Sequence, residues 1–378
     1  MSSGGPAEVA VVGGGAIGCS VAYHAARRGA RVILLEAEQL GSGSSGALAG
    51  MLSGQGELEP PGPLLRLMLL GRERHREISE ELQDLTGIDP GYVWEGALRT
   101  AVDEASSELL AEAHALQREE GLRAEWLTGD EARELEPTLS REVVAGLYLP
   151  DDGQVNPPQL VQALARGAAL HGAEIREATR VTGFIVRGGR VEGVGTSRGE
   201  VPAGTVVLAG GAFSDLLSGQ LGVSLPLFPV KGQMLITNMW PSPIRANVWD
   251  AANFYVVPKR DGRVIVGATE EPGVYDRRVT LGGVAELSRA ATSLVPALSE
   301  ALFAGSWGGL RPATSTGRPV LGPVEGWEGL LLATGHFRNG VLLSVITGEI
   351  ISALALGEEP PTDISPFLYG SLLTGRLE

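Results

Sequence analysis

The hydrophobic positions at the start of the chain predict a strand, a helix and a second strand in close succession. Residues 8–12 form a short apolar, β-branched run that ends in glycines, and residues 31–35 form another apolar run. Between them, residues 16–28 have the small and apolar character of a helix closed by Gly29. Uninterrupted apolar runs are typical of strands covered on both faces. The pattern therefore predicts a βαβ unit.

Helical patterns follow in the first half of the chain. Residues 64–85 and 104–120 are charged on one side and rich in Leu or Ala on the other, which is typical of amphipathic helices. Asn156 precedes two prolines, as an N-cap precedes a first helical turn, and predicts a helix to residue 170 that Gly172 ends. The first two helices are expected to cover the outside of the protein.

Strand patterns dominate the centre of the chain. A short strand through Ile175 is followed by residues 184–186 and 191–194, which flank Gly188-Gly189 and predict a hairpin. The fully apolar run 205–209 leads into two further glycines. We expect this run to rejoin the first sheet.

A different pattern of long strands with little helix begins near residue 225. Residues 254–258 and 263–267 lie on either side of a turn at Asp261-Gly262. This arrangement predicts an antiparallel sheet in a second domain.

The last third of the chain predicts a return to the first domain. A helix is expected over residues 283–302, ahead of the segment 307–312. The strand 330–333 then leads into residues 336–340, which are expected to open a final helix.

Composition excludes several classes of protein. The chain has 378 residues, enough for two packed domains, and its formal charge of -15 disfavours nucleic acid and anionic membranes as partners. No apolar run reaches the ~20 residues of a membrane span. The single cysteine, Cys19, excludes an intramolecular disulfide and a multi-cysteine metal site, so no metal is expected. A cytoplasmic location is expected.

A glycine motif in the βαβ unit predicts a dinucleotide site. Gly13, Gly15 and Gly18 form Gly-x-Gly-x-x-Gly between a strand and a helix, where backbone amides can approach a pyrophosphate. Glu36 ends the second strand, where its carboxylate can accept both hydroxyls of an adenosine ribose. The alternative is a tight structural turn beside a surface glutamate.

Three further stretches favour FAD over NAD. Residues 44–45 and 49–51 follow Glu36, where a FAD protein threads its chain along the coenzyme. Two strands end in glycines at residues 209–211 and 333–335, and the second precedes the helix expected at 336–340, whose amides could stabilise a reduced flavin. Each glycine pair, taken singly, is also compatible with an ordinary turn.

Three of these motifs, with three other segments, resemble bacterial glycine oxidases of the D-amino-acid oxidase superfamily. The segments are residues 11–18, 49–52, 229–233, 255–258, 309–312 and 335–340, in family order from about Val9 to Leu356. The resemblance implies oxidation of glycine, often for the thiazole ring of thiamine, and a homotetramer. FAD is expected to be noncovalent, because Cys19 is misplaced for the covalent attachment of related sarcosine oxidases.

The resemblance also implies an α/β (α+β) fold of the D-amino-acid oxidase type. It comprises a Rossmann-like FAD-binding domain and an antiparallel-sheet substrate domain. The boundaries expected are 1–85, 151–222 and 318–378 for the FAD-binding domain, and 86–150 and 223–317 for the substrate-binding domain.

The family's functional residues carry over to matching positions. The catalytic candidates are Arg311 for the substrate carboxylate, Tyr255 beside it and Arg338 near substrate and flavin. The alternatives are a structural salt bridge, a core tyrosine and a charge paired with a nearby acid, respectively. The implied FAD contacts are Gly13, Gly15, Ala16, Ile17, Gly18, Glu36, Ala37, Ser44, Ser45, Ala49, Gly50, Met51, Val181, Gly211, His336, Phe337, Arg338, Asn339, Gly340, Val341 and Leu342.

The sequence does not decide whether two charged side chains, those of Lys231 and Glu270, face the cavity. Lys231 is one of only two lysines, and it is expected either at the cavity or as a solvated strand-end residue. Glu270 stands where many relatives have an apolar residue, and it could favour substrates with an amine if it faces the cavity.

Three other functions share some of these motifs. A D-amino-acid or sarcosine oxidase differs in the size of its cavity, and a dehydrogenase of the same fold passes electrons to an acceptor other than dioxygen. A non-catalytic flavoprotein is the third, and the pair Arg311 and Tyr255 argues against it, because such a protein needs no carboxylate clamp.

Overall fold

The computed structural model describes residues 6–373 and builds them around two large β-sheets. The strands are β1 (Ala7–Val12), β2 (Val32–Leu35), β3 (Met51–Leu52), β4 (Ala97–Ala101), β5 (Glu125–Thr128), β6 (Ala145–Leu149), β7 (Gly153–Gln154), β8 (Glu174–Arg176), β9 (Val181–Arg187), β10 (Arg190–Thr196), β11 (Gly199–Leu208), β12 (Leu227–Asn238), β13 (Asn247–Trp249), β14 (Tyr255–Pro258), β15 (Arg263–Gly267), β16 (Glu271–Pro272), β17 (Leu302–Thr314), β18 (Val320–Val324) and β19 (Trp327–Thr334).

The α-helices lie between these strands in the chain. They are α1 (Ala16–Arg27), α2 (Pro63–Thr86), α3 (Glu104–Glu119), α4 (Gly129–Leu135), α5 (Pro157–Leu170), α6 (Ser214–Ser218), α7 (Leu281–Leu294), α8 (Ser344–Ala355) and α9 (Tyr369–Leu373). The helices predicted from 16, 64, 104 and the Asn156 region are therefore confirmed, each to within two residues.

The first sheet is the parallel sheet that the opening pattern predicted. β1 lies between β2 and β11 and is parallel to both, and β19 runs parallel to β11. The strand at 205–209 thus rejoins the first sheet as expected. β9 and β10 pair antiparallel around the glycine hairpin, which confirms that prediction too.

A helical layer covers one face of this sheet. α1 packs between α5 and α8, and its small residues allow the close approach. Cys19 on α1 is fully buried, and burial raises the pKa of its thiol, so it is a packing residue. The resulting core joins α1, α5 and α8 to the apolar face of β1 and β2.

The second sheet is largely antiparallel and carries the strands expected there. β12 pairs antiparallel with β15 and β17, and β14 pairs antiparallel with β15 around the predicted turn. β4 and β6 extend the sheet through β13. These pairings confirm the fold class, whereas the exact domain boundaries stay a prediction.

Two local predictions were wrong, and a third was right in position only. The helix expected over 283–302 ends at Leu294, because Pro296 interrupts it and β17 begins at residue 302. Residues 336–340 do not open an α-helix: residues 337–339 form a 3₁₀ turn, and α8 begins at Ser344. Asn156 occupies the N-cap of α5, but its side chain makes no capping hydrogen bond.

Membrane-spanning helices and metal-binding clusters are both absent from the described residues. No helix among residues 6–373 is long and apolar enough to cross a membrane. Within the same range, no group of three or more His, Cys, Asp or Glu side chains is arranged to hold a metal ion.

Acid should destabilise this fold through its buried histidines. Burial, aided by Arg28 and Arg27, lowers the pKa of His24 to about 3, and burial lowers those of His75 and His336 to about 4 and 3. An unfolded histidine has a pKa of ~6.5, so below that pH the unfolded chain binds protons that the folded chain does not. The stability that these neutral histidines contribute is therefore lost as pH falls from ~6.5 towards 4, by ~1.4 kcal/mol per histidine per pH unit.

His24→Phe tests this prediction, because the buried Nε2 atom of His24 has no hydrogen-bond partner among the described residues. Urea unfolding at pH 7.5 and 5.5 should show a smaller loss of stability in the variant than in the wild type. Equal losses in the two proteins would contradict the assignment.

Candidate active site

The turn after β1 is shaped by glycines at positions where no side chain fits. Gly13 has a φ of +113°, and a Cβ there would lie 2.4 Å from the carbonyl oxygen of Ala209. A Cβ on Gly18 would lie 1.9 Å from the carbonyl oxygen of Gly13. The first-turn amides of α1, from Ala16 onward, lack partners within the helix. The turn therefore presents N–H groups and a positive helix end, which suit a pyrophosphate.

Glu36 lies beside this turn at the end of β2. Its carboxylate accepts hydrogen bonds from the backbone N–H groups of Gly14 (2.7 Å) and Glu38 (2.8 Å), which fix its orientation. Glu36 and the next residue, Ala37, are half-buried. A carboxylate has about four acceptor sites, so Glu36 retains capacity for ribose hydroxyls.

A single loop, residues 44–52, connects the glycine turn to a cavity. Ser45 Oγ accepts a hydrogen bond from the N–H of Ala16 at 2.9 Å, and Ser44 Oγ donates to the carbonyl of Leu310. The loop ends in β3, where Met51 pairs with β7. The loop thus runs from the N-terminus of α1 to the cavity wall.

The cavity lies between the two sheets and measures about 90 Å³. At ~15 Å³ for each water-sized group, this is the scale of a small molecule. Its walls are Leu48, Ala49, Gly50, Met51, Ser53, Glu57, Trp249, Ala252, Asn253, Tyr255, Ala268, Glu270, Arg311, Arg338, Asn339 and Val341. The three catalytic candidates are thus brought together.

Arg311 and Tyr255 reach the cavity across two glycines of the second sheet. Arg311 on β17 lies over Gly232 of β12, where a Cβ would come within 2.5 Å of the guanidinium. Tyr255 on β14 lies over Gly267 of β15, where a Cβ would come within 2.5 Å of the ring. Because β12 and β15 are neighbours, the two glycines leave space on one face of the sheet for the side chains of Arg311 and Tyr255, with Met234 packed between them.

The charges of this pair suit a carboxylate ligand. Arg311 is buried and donates a hydrogen bond to the carbonyl of Thr269 at 3.2 Å. Among residues 6–373 no carboxylate forms an ion pair with Arg311, so the alternative of a structural salt bridge is wrong. Burial raises the pKa of Tyr255, against the effect of Arg311, so its hydroxyl stays protonated and can donate.

Arg338, in contrast, is held by acidic side chains at the cavity. Its Nε donates to Glu270 at 3.0 Å, its Nη2 also donates to Glu270, and its Nη1 donates to Glu57 at 3.5 Å. Arg338 is therefore paired with nearby acids, as the alternative interpretation expected, and its side chain also lines the cavity. Glu270 faces the cavity.

Lys259, which the sequence patterns did not single out, forms a hydrogen bond to the loop that lines the cavity. Its Nζ donates to the carbonyl of Ala49 (2.6 Å), to Gln154 Oε1 (2.6 Å) and to the carbonyl of Val155 (3.0 Å). Burial lowers the pKa of Lys259 to about 7, with a further contribution from Arg263. The other lysine, Lys231, is buried and paired with Glu271 at 3.1 Å, so both orientations expected for it were wrong.

The remaining coenzyme candidates surround these two regions. Val181 opens β9, just after Thr179, whose N–H donates to the carbonyl of Glu36 at 2.7 Å. Gly211 begins a 3₁₀ turn and accepts a hydrogen bond from Thr334 at 3.0 Å. His336 is buried and forms a hydrogen bond with Thr347. The segment from Phe337 through Gly340 to Leu342 follows His336 and leads into α8. Of these, Asn339 and Val341 line the cavity, whereas Ile17, in the first turn of α1, is partly buried against the core.

The described residues fit a flavin dinucleotide. The glycine turn brings backbone segments so close together that no side chain fits between them. On the cavity wall, Ser53 Oγ is buried without a hydrogen-bond partner among residues 6–373. Ser53, Glu57, Trp249 and Asn253 were missed by sequence reasoning. Only Ser53 carried a signal, since it lies two residues after the Ala49-Gly50-Met51 motif.

Comparison with known proteins agrees with this geometry. Residues 8–354 match the family model described as FAD dependent oxidoreductase. The chain belongs to this family. FAD is therefore its coenzyme, and the resemblance drawn from the sequence motifs is confirmed.

Individual members of the FAD-dependent oxidoreductase family extend the comparison. A glycine oxidase of Geobacillus kaustophilus is 40% identical over 364 residues, covering 95% of this chain and 96% of the relative. The bifunctional protein ThiO/ThiG of Synechocystis is 35% identical over 368 residues, covering 96% of this chain and 53% of that protein. The crystal structure of the Geobacillus kaustophilus glycine oxidase superposes with a TM-score of 0.93 at 38% identity, covering 96% and 98% of the two chains.

The glycine turn should be essential for FAD binding. In Gly18→Ala the added methyl group meets the backbone of Gly13, so the turn must open, and we expect the purified protein to carry little flavin. The ratio of flavin to protein absorbance measures this. Gly43→Ala is the matched control, because nothing lies within 4 Å of a Cβ at Gly43. A full flavin content in Gly18→Ala would contradict the assignment.

Proposed function

We propose that this protein is a glycine oxidase, which converts glycine, dioxygen and water to glyoxylate, ammonia and hydrogen peroxide. The observation that carries the proposal is the buried Arg311, which has no ion-pair partner among the described residues and faces a small cavity beside Tyr255. An unpaired buried guanidinium is costly unless a ligand anion completes it. Its planar fork matches a carboxylate.

The proposed chemistry depends mainly on orientation. Arg311 binds the substrate carboxylate in a bidentate pair, and the protonated hydroxyl of Tyr255 donates a further hydrogen bond to it. FAD, when bound, supplies the acceptor for the hydride that leaves the α-carbon. Met51 and Val341 are apolar walls that help to exclude water from this step.

Flavin absorbance under anaerobic conditions tests the substrate. The holoenzyme is mixed in turn with glycine, sarcosine and D-alanine, and the rate of flavin bleaching is followed. Glycine should bleach the flavin at least as efficiently as the others. If only D-alanine or sarcosine does so, the D-amino-acid or sarcosine oxidase alternative replaces the proposal.

Peroxide formation tests the electron acceptor. In air, each glycine consumed should yield one hydrogen peroxide. Flavin reduction by glycine without peroxide in air would favour the dehydrogenase alternative, and the absence of reduction by any amine would favour a non-catalytic flavoprotein.

The family resemblance supports three further parts of the proposal. The enzyme would form a homotetramer in the cytoplasm and supply an imine for thiamine biosynthesis, as the name of the ThiO/ThiG relative suggests. Light scattering of the purified holoenzyme measures the oligomeric state. Loss of thiamine-independent growth on deletion of the gene would support the pathway, and unimpaired growth would contradict it.

A further inference from the structure

Three consecutive residues after β15 contact three basic side chains, two of which line the cavity. The carbonyl of Thr269 accepts a hydrogen bond from Arg311, Glu270 pairs with Arg338, and Glu271 pairs with Lys231. The two cavity arginines are therefore held by adjacent residues of one segment. A change in the middle residue acts on Arg338 and leaves the backbone contact of Arg311 in place.

The two arginines differ in what they offer a ligand. Arg311 has no ion pair among the described residues and is buried. Arg338 uses Nε and Nη2, the two nitrogens that form a bidentate edge, on one oxygen of Glu270, and it uses Nη1 on Glu57. The Nε and Nη2 edge of Arg338 is thus occupied, and two carboxylates accompany its guanidinium on the cavity wall.

We propose that Glu270 is a specificity-determining residue that restricts the cavity to amino acids with a single carboxylate. This inference rests on the proposed function, in which Arg311 binds the first carboxylate. A second carboxylate on the substrate would meet Glu57 and Glu270 and would find the Nε and Nη2 edge of Arg338 already occupied. Glycine carries no second carboxylate and avoids this repulsion.

Removing the carboxylate of Glu270 should therefore admit dicarboxylates. In Glu270→Met the Nε and Nη2 edge of Arg338 becomes free, and in Glu270→Gln the negative charge is lost while the size is kept. Relative to wild type, we expect the preference for iminodiacetate over sarcosine, or for D-aspartate over D-alanine, to rise by about tenfold or more. The members of each pair differ only by a carboxylate in place of a hydrogen atom.

The experiment compares the wild-type holoenzyme with both Glu270 variants by anaerobic flavin reduction. Glu286→Gln is the control, because Glu286 is exposed on α7 and outside the cavity. A second measurement does not require turnover: the dissociation constants of succinate and propionate are obtained from the perturbation of the flavin spectrum. Their ratio should shift towards succinate in both Glu270 variants, and more in Glu270→Met.

The outcomes separate this inference from the proposed function. Unchanged ratios in both Glu270 variants, or an equal rise in Glu286→Gln, would overturn the role of Glu270. A wild-type holoenzyme that no amino acid reduces would overturn the proposed function, and in that case the ratio of succinate to propionate still decides whether Glu270 excludes a second carboxylate.

Discussion

Replacing Arg311 by methionine should lower kcat/KM for glycine by about a thousandfold, because loss of one partner of a buried charge pair costs ~2–5 kcal/mol. Methionine keeps much of the side-chain length and fills the space over Gly232, so the second sheet should remain intact. No described carboxylate is left without a partner by the change. Steady-state peroxide production with glycine measures the loss.

Two further variants sharpen this test. Arg311→Lys keeps the positive charge but loses the planar fork, so its kcat/KM should lie between those of the wild type and Arg311→Met. Arg198→Met makes the same change at an exposed arginine near the β10–β11 turn, and it should retain wild-type kinetics. A loss below tenfold in Arg311→Met would show that Arg311 is not the carboxylate anchor.

Lys259→Met should destabilise the protein by about 3 kcal/mol or more and release flavin. Nζ of Lys259 lies within hydrogen-bond distance of three buried acceptors, and each one left without a donor costs ~1–3 kcal/mol. One of them is the carbonyl of Ala49 in the loop beside the coenzyme site, so FAD affinity should fall together with the free energy of unfolding. Urea unfolding and flavin content measure the two effects.

The other lysine provides the control for this prediction. Lys231→Met also removes a buried lysine, but Lys231 makes one ion pair, to a partly exposed carboxylate, and lies off the cavity wall. It should lose less stability and keep its flavin. If both variants lose flavin equally, the contacts of Lys259 have no special role in holding the loop at Ala49.

Local patterns were sufficient where neighbouring residues decide the structure. The βαβ unit with its glycine turn, the hairpin at Gly188-Gly189 and the helix from Pro157 each follow from periodicity and turn residues within a short window. The end of α7 was misjudged because a continuing apolar pattern outweighed Pro296. The start of α8 was misjudged because its N-cap position is occupied by Leu343, which has no polar side chain to mark the beginning of a helix.

The site was predictable only where motifs match a known family. Arg311, Tyr255 and Met51 lie on the cavity wall as expected, although their roles stay predictions. Lys259 could not be found from sequence, because its acceptors lie more than 100 positions away in the chain. Glu270 could be singled out, but its pairing with Arg338 depends on how the two sheets meet.

Gly232 and Gly267, the glycines beneath the side chains of Arg311 and Tyr255, limit which mutations the cavity tolerates. In a library of all single substitutions screened for oxidase activity, positions 232 and 267 should accept almost no replacement, because even one methyl group displaces the side chain above it. Variation that alters substrate range should therefore accumulate around Glu57, Asn253 and Glu270. The enzyme would then diversify its substrates at one wall of the cavity while the carboxylate anchor stays unchanged.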